Sequence, residues 1–154
     1  MSRSIEHLKE AIKINPDFYE AYDLIADILL NEGSYAESER WYNRSIDIIN
    51  KKISMLESKI ERALELKLFK EIKIIQEKIA RTYKDISCIY HKMALISVRN
   101  KNKQLAIEQL TQSIETDRDN AESYYQLSKL TSGKKSKKYL DQAIDIDPEY
   151  SIQA

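Results

Sequence analysis

Tyr22-Asp23-Leu24-Ile25-Ala26 is answered, 68 residues further on, by Tyr90-His91-Lys92-Met93-Ala94. An aromatic, a large aliphatic three positions later and a small residue directly after it thus recur at twice 34 residues. A second echo lies at the ends, where Ala11-Ile12-Lys13-Ile14-Asn15-Pro16-Asp17-Phe18 returns as Ala143-Ile144-Asp145-Ile146-Asp147-Pro148-Glu149-Tyr150. That offset is 132, four periods of 34 less 4. Self-similarity at a fixed period of this length marks a stack of like units, each one supersecondary element.

Working outward from these echoes gives one copy as Tyr22, Ile25, Ala26, Leu29, Ser38, Tyr42 and Ser45. Another runs Tyr90, Met93, Ala94, Ser97, Ala106, Leu110 and Ser113. A third runs Tyr124, Leu127, Ser128, Ser136, Leu140, Ala143 and Pro148, with about four residues trimmed from its internal turn. Ser4, Leu8, Ala11 and Pro16 form a leading half-copy. Two antiparallel helices come close only where their contact positions carry small side chains. Ala26, Ser38, Ser45, Ala94, Ala106, Ser113, Ser128, Ser136 and Ala143 are those positions. Asn15-Pro16 and Asp147-Pro148 end helices, because Pro lacks a donor and biases its predecessor away from the α region. Asn31-Glu32-Gly33-Ser34 and Thr131-Ser132-Gly133 are expected as turns inside units, with Gly as a left-handed C-cap.

In these residues the chain resembles the tetratricopeptide repeat family. The resemblance covers most of the chain outside 51–86 and implies an all-α solenoid of antiparallel helix pairs, about seven helices in one domain over 1–154. The expected division is a half repeat at 1–18, repeats at 19–52 and 87–120, and a shortened repeat at 121–150.

Residues 53–86 depart from the family. The length suits a further repeat, but Ile60, Ile72 and Ile79 stand at the crossing points that should be small. Tyr42, Ile46, Ile49, Ile53, Leu56, Ile60 and Ala63 are spaced by fours and threes, and so are Ile72, Ile75, Ile79, Thr82, Ile86, Ile89, Met93 and Ile96. That is a coiled-coil seam. It predicts one long helix from about Tyr35 to Leu66, a turn at Lys67-Leu68-Phe69, and a second long helix from Lys70 to about Arg99. A basic hairpin inserted near 51–86 and a degenerate repeat over 53–86 both fit.

Composition agrees with helices. Between Gly33 and Gly133 there is neither Gly nor Pro, whereas a sheet protein needs turn residues every ~8–12 positions. The net charge is zero, but residues 1–50 hold 5 Lys or Arg and 10 Asp or Glu, while 51–103 hold 14 and 6. No apolar run approaches the ~20 residues of a membrane span, and the Met1–His7 stretch is no secretory signal, so cytoplasmic residence is expected.

Little here promises catalysis. No acid–base pair or nucleophile stands out, and two Gly cannot build a phosphate loop. Two His and one Cys are thin for a metal, so no catalytic residue, cofactor or metal is expected, and Cys88 reads as a small packing residue.

The family resemblance implies a protein-interaction adaptor whose first helices line a groove for a partner segment. The matching positions are Glu20, Asp23 and Asp27, then Cys88, His91, Lys92 and Leu95, then Glu122, Tyr125, Gln126 and Lys129. The relatives that clamp a chaperone's terminal carboxylate use cations there, so the acidic first group argues against that ligand and for a basic one. The alternative is a nucleic-acid or other polyanion binder using Lys59, Arg62, Lys70 and Lys73 on the hairpin and the cluster Lys134, Lys135, Lys137, Lys138. Partners are thus a protein or peptide, a second copy through uncapped ends, or less readily nucleic acid.

Overall fold

The computed structural model describes residues 3–153, so Met1 and Ser2 of the expected half repeat and the terminal Ala154 lie outside the described residues. The described residues form eight helices and no strand. They are α1 (Arg3–Ile14), α2 (Tyr19–Asn31), α3 (Tyr35–Glu65), α4 (Phe69–Arg99), α5 (Lys103–Thr116), α6 (Ala121–Leu130), α7 (Gly133–Ile146) and α8 (Tyr150–Gln153). Seven were expected; the eighth is the single turn α8. The chain divides into two compact units, Met1–Thr82 and Tyr83–Ala154.

Three of the breaks between helices are one local device. The Asn15 Oδ1 accepts from the Asp17 amide at 3.2 Å, the Asp117 Oδ1 from the Asp119 amide at 3.1 Å, and the Asp147 Oδ1 from the Glu149 amide at 3.0 Å. A short Asn or Asp side chain that bonds the backbone two residues on offers the chain an alternative to helix. Counting by 34 from Asn15 lands on Ile49, Tyr83 and Asp117. Ile49 and Tyr83 cannot make this turn, and there α3 and α4 run on without a break for 31 residues each.

A second device closes the other ends. At Gly33 (φ +79°), Lys67 (φ +57°) and Lys101 (φ +59°) the backbone turns left-handed just past a helix. Each time the following amide reaches back five residues: Ser34 to Leu29, Leu68 to Ala63, Asn102 to Ser97, at 2.8–2.9 Å. This is the Schellman cap. The three residues are spaced 34 apart, so the period passes undisturbed through 53–86. Gly133 is also left-handed (φ +62°), but it opens α7 instead of capping α6. There Thr131, in extended backbone, ends the helix with its amide on the Leu127 carbonyl.

In Met1–Thr82, Ile5, Ile25 and Leu29 form a core joined by Leu8, Ile12, Ile28 and Trp41. Ile5, not the small Ser4, is the buried anchor of α1. Ala26, Ser38 and Ser45 are fully buried at the α2–α3 crossing. Beyond it Ile53, Leu56, Ala63 and Ile72 are buried, whereas Ile60, Ile75 and Ile79 are half-buried. In Tyr83–Ala154, Ala94, Ala106, Leu110 and Leu127 make one core, and Tyr124, Tyr125 and Ala143 a second. Of the nine small crossing residues, eight are buried and Ser136 is half-buried.

Among the described residues no helix is long and apolar enough to cross a membrane.

Candidate functional site

The serines at crossing points are more than small. The Ser38 hydroxyl donates to the Ala26 carbonyl at 2.8 Å, and the Ser45 hydroxyl to the Tyr19 carbonyl at 3.3 Å. Ser136 repeats the first bond, donating to Ser128 at 2.7 Å, and Ser113 repeats the second, donating to Ser87 at 2.8 Å. A helix carbonyl already serves its own helix, and its second lone pair is free for a crossing neighbour. Each such buried bond stabilises by about 1 kcal/mol net.

Around Ser113 the bonds widen into a network. Ser87 and Ser113 hydroxyls lie 2.9 Å apart, and Ser113 and Ser123 hydroxyls 2.8 Å apart. The Asn120 amide donates to Ser87 at 2.8 Å and to Ser113 at 3.1 Å, while its carbonyl caps α6 by accepting from the Ser123 amide at 3.1 Å. His91 Nδ1 lies 3.2 Å from the Ser123 hydroxyl. The network ties α4, α5 and α6 together and fixes the His91 ring.

That ring begins a row of polar side chains along α4 and α6. His91, Lys92 and Leu95 on α4 are half-buried, as are Glu122 and Gln126 on α6. Burial pushes the His91 imidazole below its ordinary 6.5; the Glu122 charge opposes that shift and the Lys92 charge adds to it. Burial alone would raise the Glu122 carboxyl. The hydroxyl of Tyr150 and the Gln126 amide, at 3.0 Å, both donate to it, and with the His91 and Lys129 charges they hold it below the usual range. Tyr125 is not open at the surface. Its ring is buried, 4.8 Å from that of Tyr150 and under the Lys129 ammonium at 4.0 Å, and its hydroxyl donates to the Gln153 carbonyl. The turn α8 thus covers Tyr125, and Tyr125 serves as floor. Cys88 is exposed, which corrects its reading as a small packing residue; the buried small residue there is its neighbour Ser87.

The remaining sequence candidates lie elsewhere. Glu20 is exposed and Asp23 and Asp27 half-buried on α2, all in Met1–Thr82. Asp27 accepts from the Tyr42 hydroxyl, and burial together with Asp27 and Asp23 drives that phenol far above its ordinary value. Lys59, Arg62, Lys70 and Lys73 are exposed around the α3–α4 turn, in the company of exposed Leu64, Leu66, Leu68 and Phe69. Lys134, Lys135, Lys137 and Lys138 are exposed on the first turns of α7, which carry no acidic residue. Among the described residues no three His, Cys, Asp or Glu are grouped to hold a metal ion.

No curated protein matches the chain. Among solved structures, a MamA double mutant is 13% identical, with 94% of this chain and 84% of that one covered and a TM-score of 0.41. YrrB, described as a TPR protein with an unusual peptide-binding site, is 16% identical, with 97% of each chain covered and a TM-score of 0.31. The pilF protein of Pseudomonas aeruginosa is 15% identical, with 95% and 79% covered and a TM-score of 0.39. Likeness this low says nothing about what the present chain binds. The tetratricopeptide repeat pattern itself matches residues 19–52 and 89–120. Over those two segments the chain matches the tetratricopeptide repeat family.

Proposed function

We propose that the chain is a non-catalytic protein-interaction scaffold of the cytoplasm, and that the α4–α6 face of Tyr83–Ala154 receives a partner segment. The observation that carries this reading is the polar row His91, Lys92, Glu122, Gln126 and Lys129 beside Leu95. It stands by the buried Tyr125; His91 is held from behind by Ser123 of the serine–asparagine network, and Gln126 donates to Glu122. Side chains locked by such bonds lose little freedom on binding, which is what preorganisation contributes to affinity. In Met1–Thr82 the α2 residues Glu20, Asp23 and Asp27 favour a lysine-rich stretch, and a terminal carboxylate finds no cation clamp there.

The test titrates labelled lysine-rich and glutamate-rich peptides into the chain. The lysine-rich peptide should bind, and Asp23→Lys should weaken it about tenfold, or ~1.4 kcal/mol. A tighter glutamate-rich peptide, or indifference to Asp23→Lys, would overturn the α2 preference, and a bound partner segment whose affinity is untouched by Glu122→Lys would overturn the α4–α6 face.

One observation favours the second reading, a polyanion binder. The four lysines opening α7 are exposed where cations oppose the helix dipole. At the α3–α4 turn, however, the cations alternate with Leu64, Leu66, Leu68 and Phe69, which a phosphate backbone does not need. That mixture suits a protein segment with both carboxylates and apolar side chains. A steep fall of DNA affinity with salt would transfer the assignment to nucleic acid.

A further inference from the structure

The chain's one tryptophan sits in a ring of cations on a face that the proposed groove does not use. Trp41 on α3 is half-buried, with the Tyr22 ring 5.6 Å away. The Arg44 guanidinium lies 5.2 Å from its centre and the Lys9 ammonium of α1 5.8 Å from it. Lys9, Glu37, Arg40, Trp41 and Arg44 line an open cleft of about 250 Å³ between α1 and α3.

The charge is out of keeping with its surroundings. Residues 1–50 hold 5 Lys or Arg against 10 Asp or Glu, yet three of those five cations converge on this cleft. Arg40 and Arg44 are four apart on one helix face, where like charges repel. Neither makes an ion pair among the described residues. The Trp41 ring orients the Arg44 plane through a cation–π contact, so its fork of donors is held and not free to wander.

We propose that this cleft binds a phosphomonoester group carried by a partner peptide. Two guanidinium forks and an ammonium match a dianion with three acceptor oxygens. The cleft is smaller than the ~300–1,000 Å³ of ordinary small-molecule pockets, which suits one phosphorylated side chain and not a nucleotide. Glu37 sets a limit on the other side: one compact dianion is tolerated beside it, and a run of carboxylates is repelled.

Trp41 reports on its own site. The full chain is titrated with a neutral peptide bearing one phosphoserine, with its unphosphorylated twin, and with inorganic phosphate, while Trp41 emission is followed. The phosphopeptide should give a saturable change that the twin does not. The Arg40→Gln/Arg44→Gln variant should weaken it at least tenfold, and Glu37→Gln should tighten it about threefold, with helicity unchanged because all three residues are exposed. Saturation by inorganic phosphate as well would place the whole determinant in the dianion, and saturation by the phosphopeptide alone would add the peptide to it. An equal response to the twin, or an affinity untouched by the double substitution, would overturn the proposal.

Discussion

Residues 19–52 and 53–86 have the same length and the same left-handed turn, at Gly33 and at Lys67, yet they are built differently. In the first, Ala26, Ser38 and Ser45 are fully buried, and both serines bond across to the facing helix. In the second the equivalent places are Ile60, Ile72 and Ile79, of which two are only half-buried. Branched side chains at a crossing hold the helices apart and take the carbonyl-seeking hydroxyl away. The first segment also begins at an Asx turn, whereas the second begins inside α3 and ends inside α4. We read 53–86 as a unit that kept the 34-residue period but lost the breaks at both ends, so that its helices are fused to their neighbours. The comparison teaches that the period is carried by the C-caps, and the separation of helices by one Asn or Asp.

The largest test of that difference is proline. Asn50 and Arg118 both correspond to Pro16 by the 34-residue count. Asn50→Pro interrupts a continuous helix and should cost about 3 kcal/mol. Arg118→Pro should instead stabilise by about 0.5 kcal/mol, since Asp117 has nearly the φ and ψ of Asp147, which already precedes a proline. Thermal unfolding of the two variants reads both signs; a similar loss in each would break the comparison.

A smaller effect probes what the two segments share. Gly33 and Lys67 occupy the same left-handed position, which costs a residue with a Cβ about 1 kcal/mol. Gly33→Ala should lose roughly that amount and Lys67→Gly should gain a similar one, measured as midpoint shifts in urea. If Lys67→Gly destabilises, the α3–α4 turn is not the equivalent of the α2–α3 turn.

The smallest effect concerns pH. The folded chain holds His91 below 6.5, so the unfolded chain binds a proton first as acid is added. The His91 contribution is complete above 6.5 and is lost as pH falls from there through the lower folded value. Glu122, held low in the fold, loses its share only below 4.5. Stability measured between about pH 7 and 5 should therefore fall, and His91→Gln should flatten that slope.

Some of this was legible in the residues. The small crossing positions could be named because steric demand leaves a size pattern that recurs at a fixed interval. The helix ends at Asn15-Pro16 and Asp147-Pro148 were visible through their prolines, but the Asx turns that make them were not. Asp117 makes the same turn without a proline to mark it, and Ile49 and Tyr83, at the same interval, lack the side chain for it. The hydroxyl bonds were not legible, because Ala and Ser satisfy the same size rule and only the facing carbonyl tells them apart. Cys88 reads as a small packing residue, whereas the buried residue there is its neighbour Ser87, which has a partner to bond.

The sequence by itself determined the helical class, the 34-residue interval and the contact positions, because propensity, capping and side-chain volume act over a few neighbouring residues. Only the tertiary structure decided that Tyr125 lies beneath Tyr150, that the His91 ring meets Ser123 of another helix, and that Lys9 meets Arg44 over Trp41. Those pairs are 25 to 35 residues apart, and what joins them is the packing of one helix on another, which no local pattern encodes.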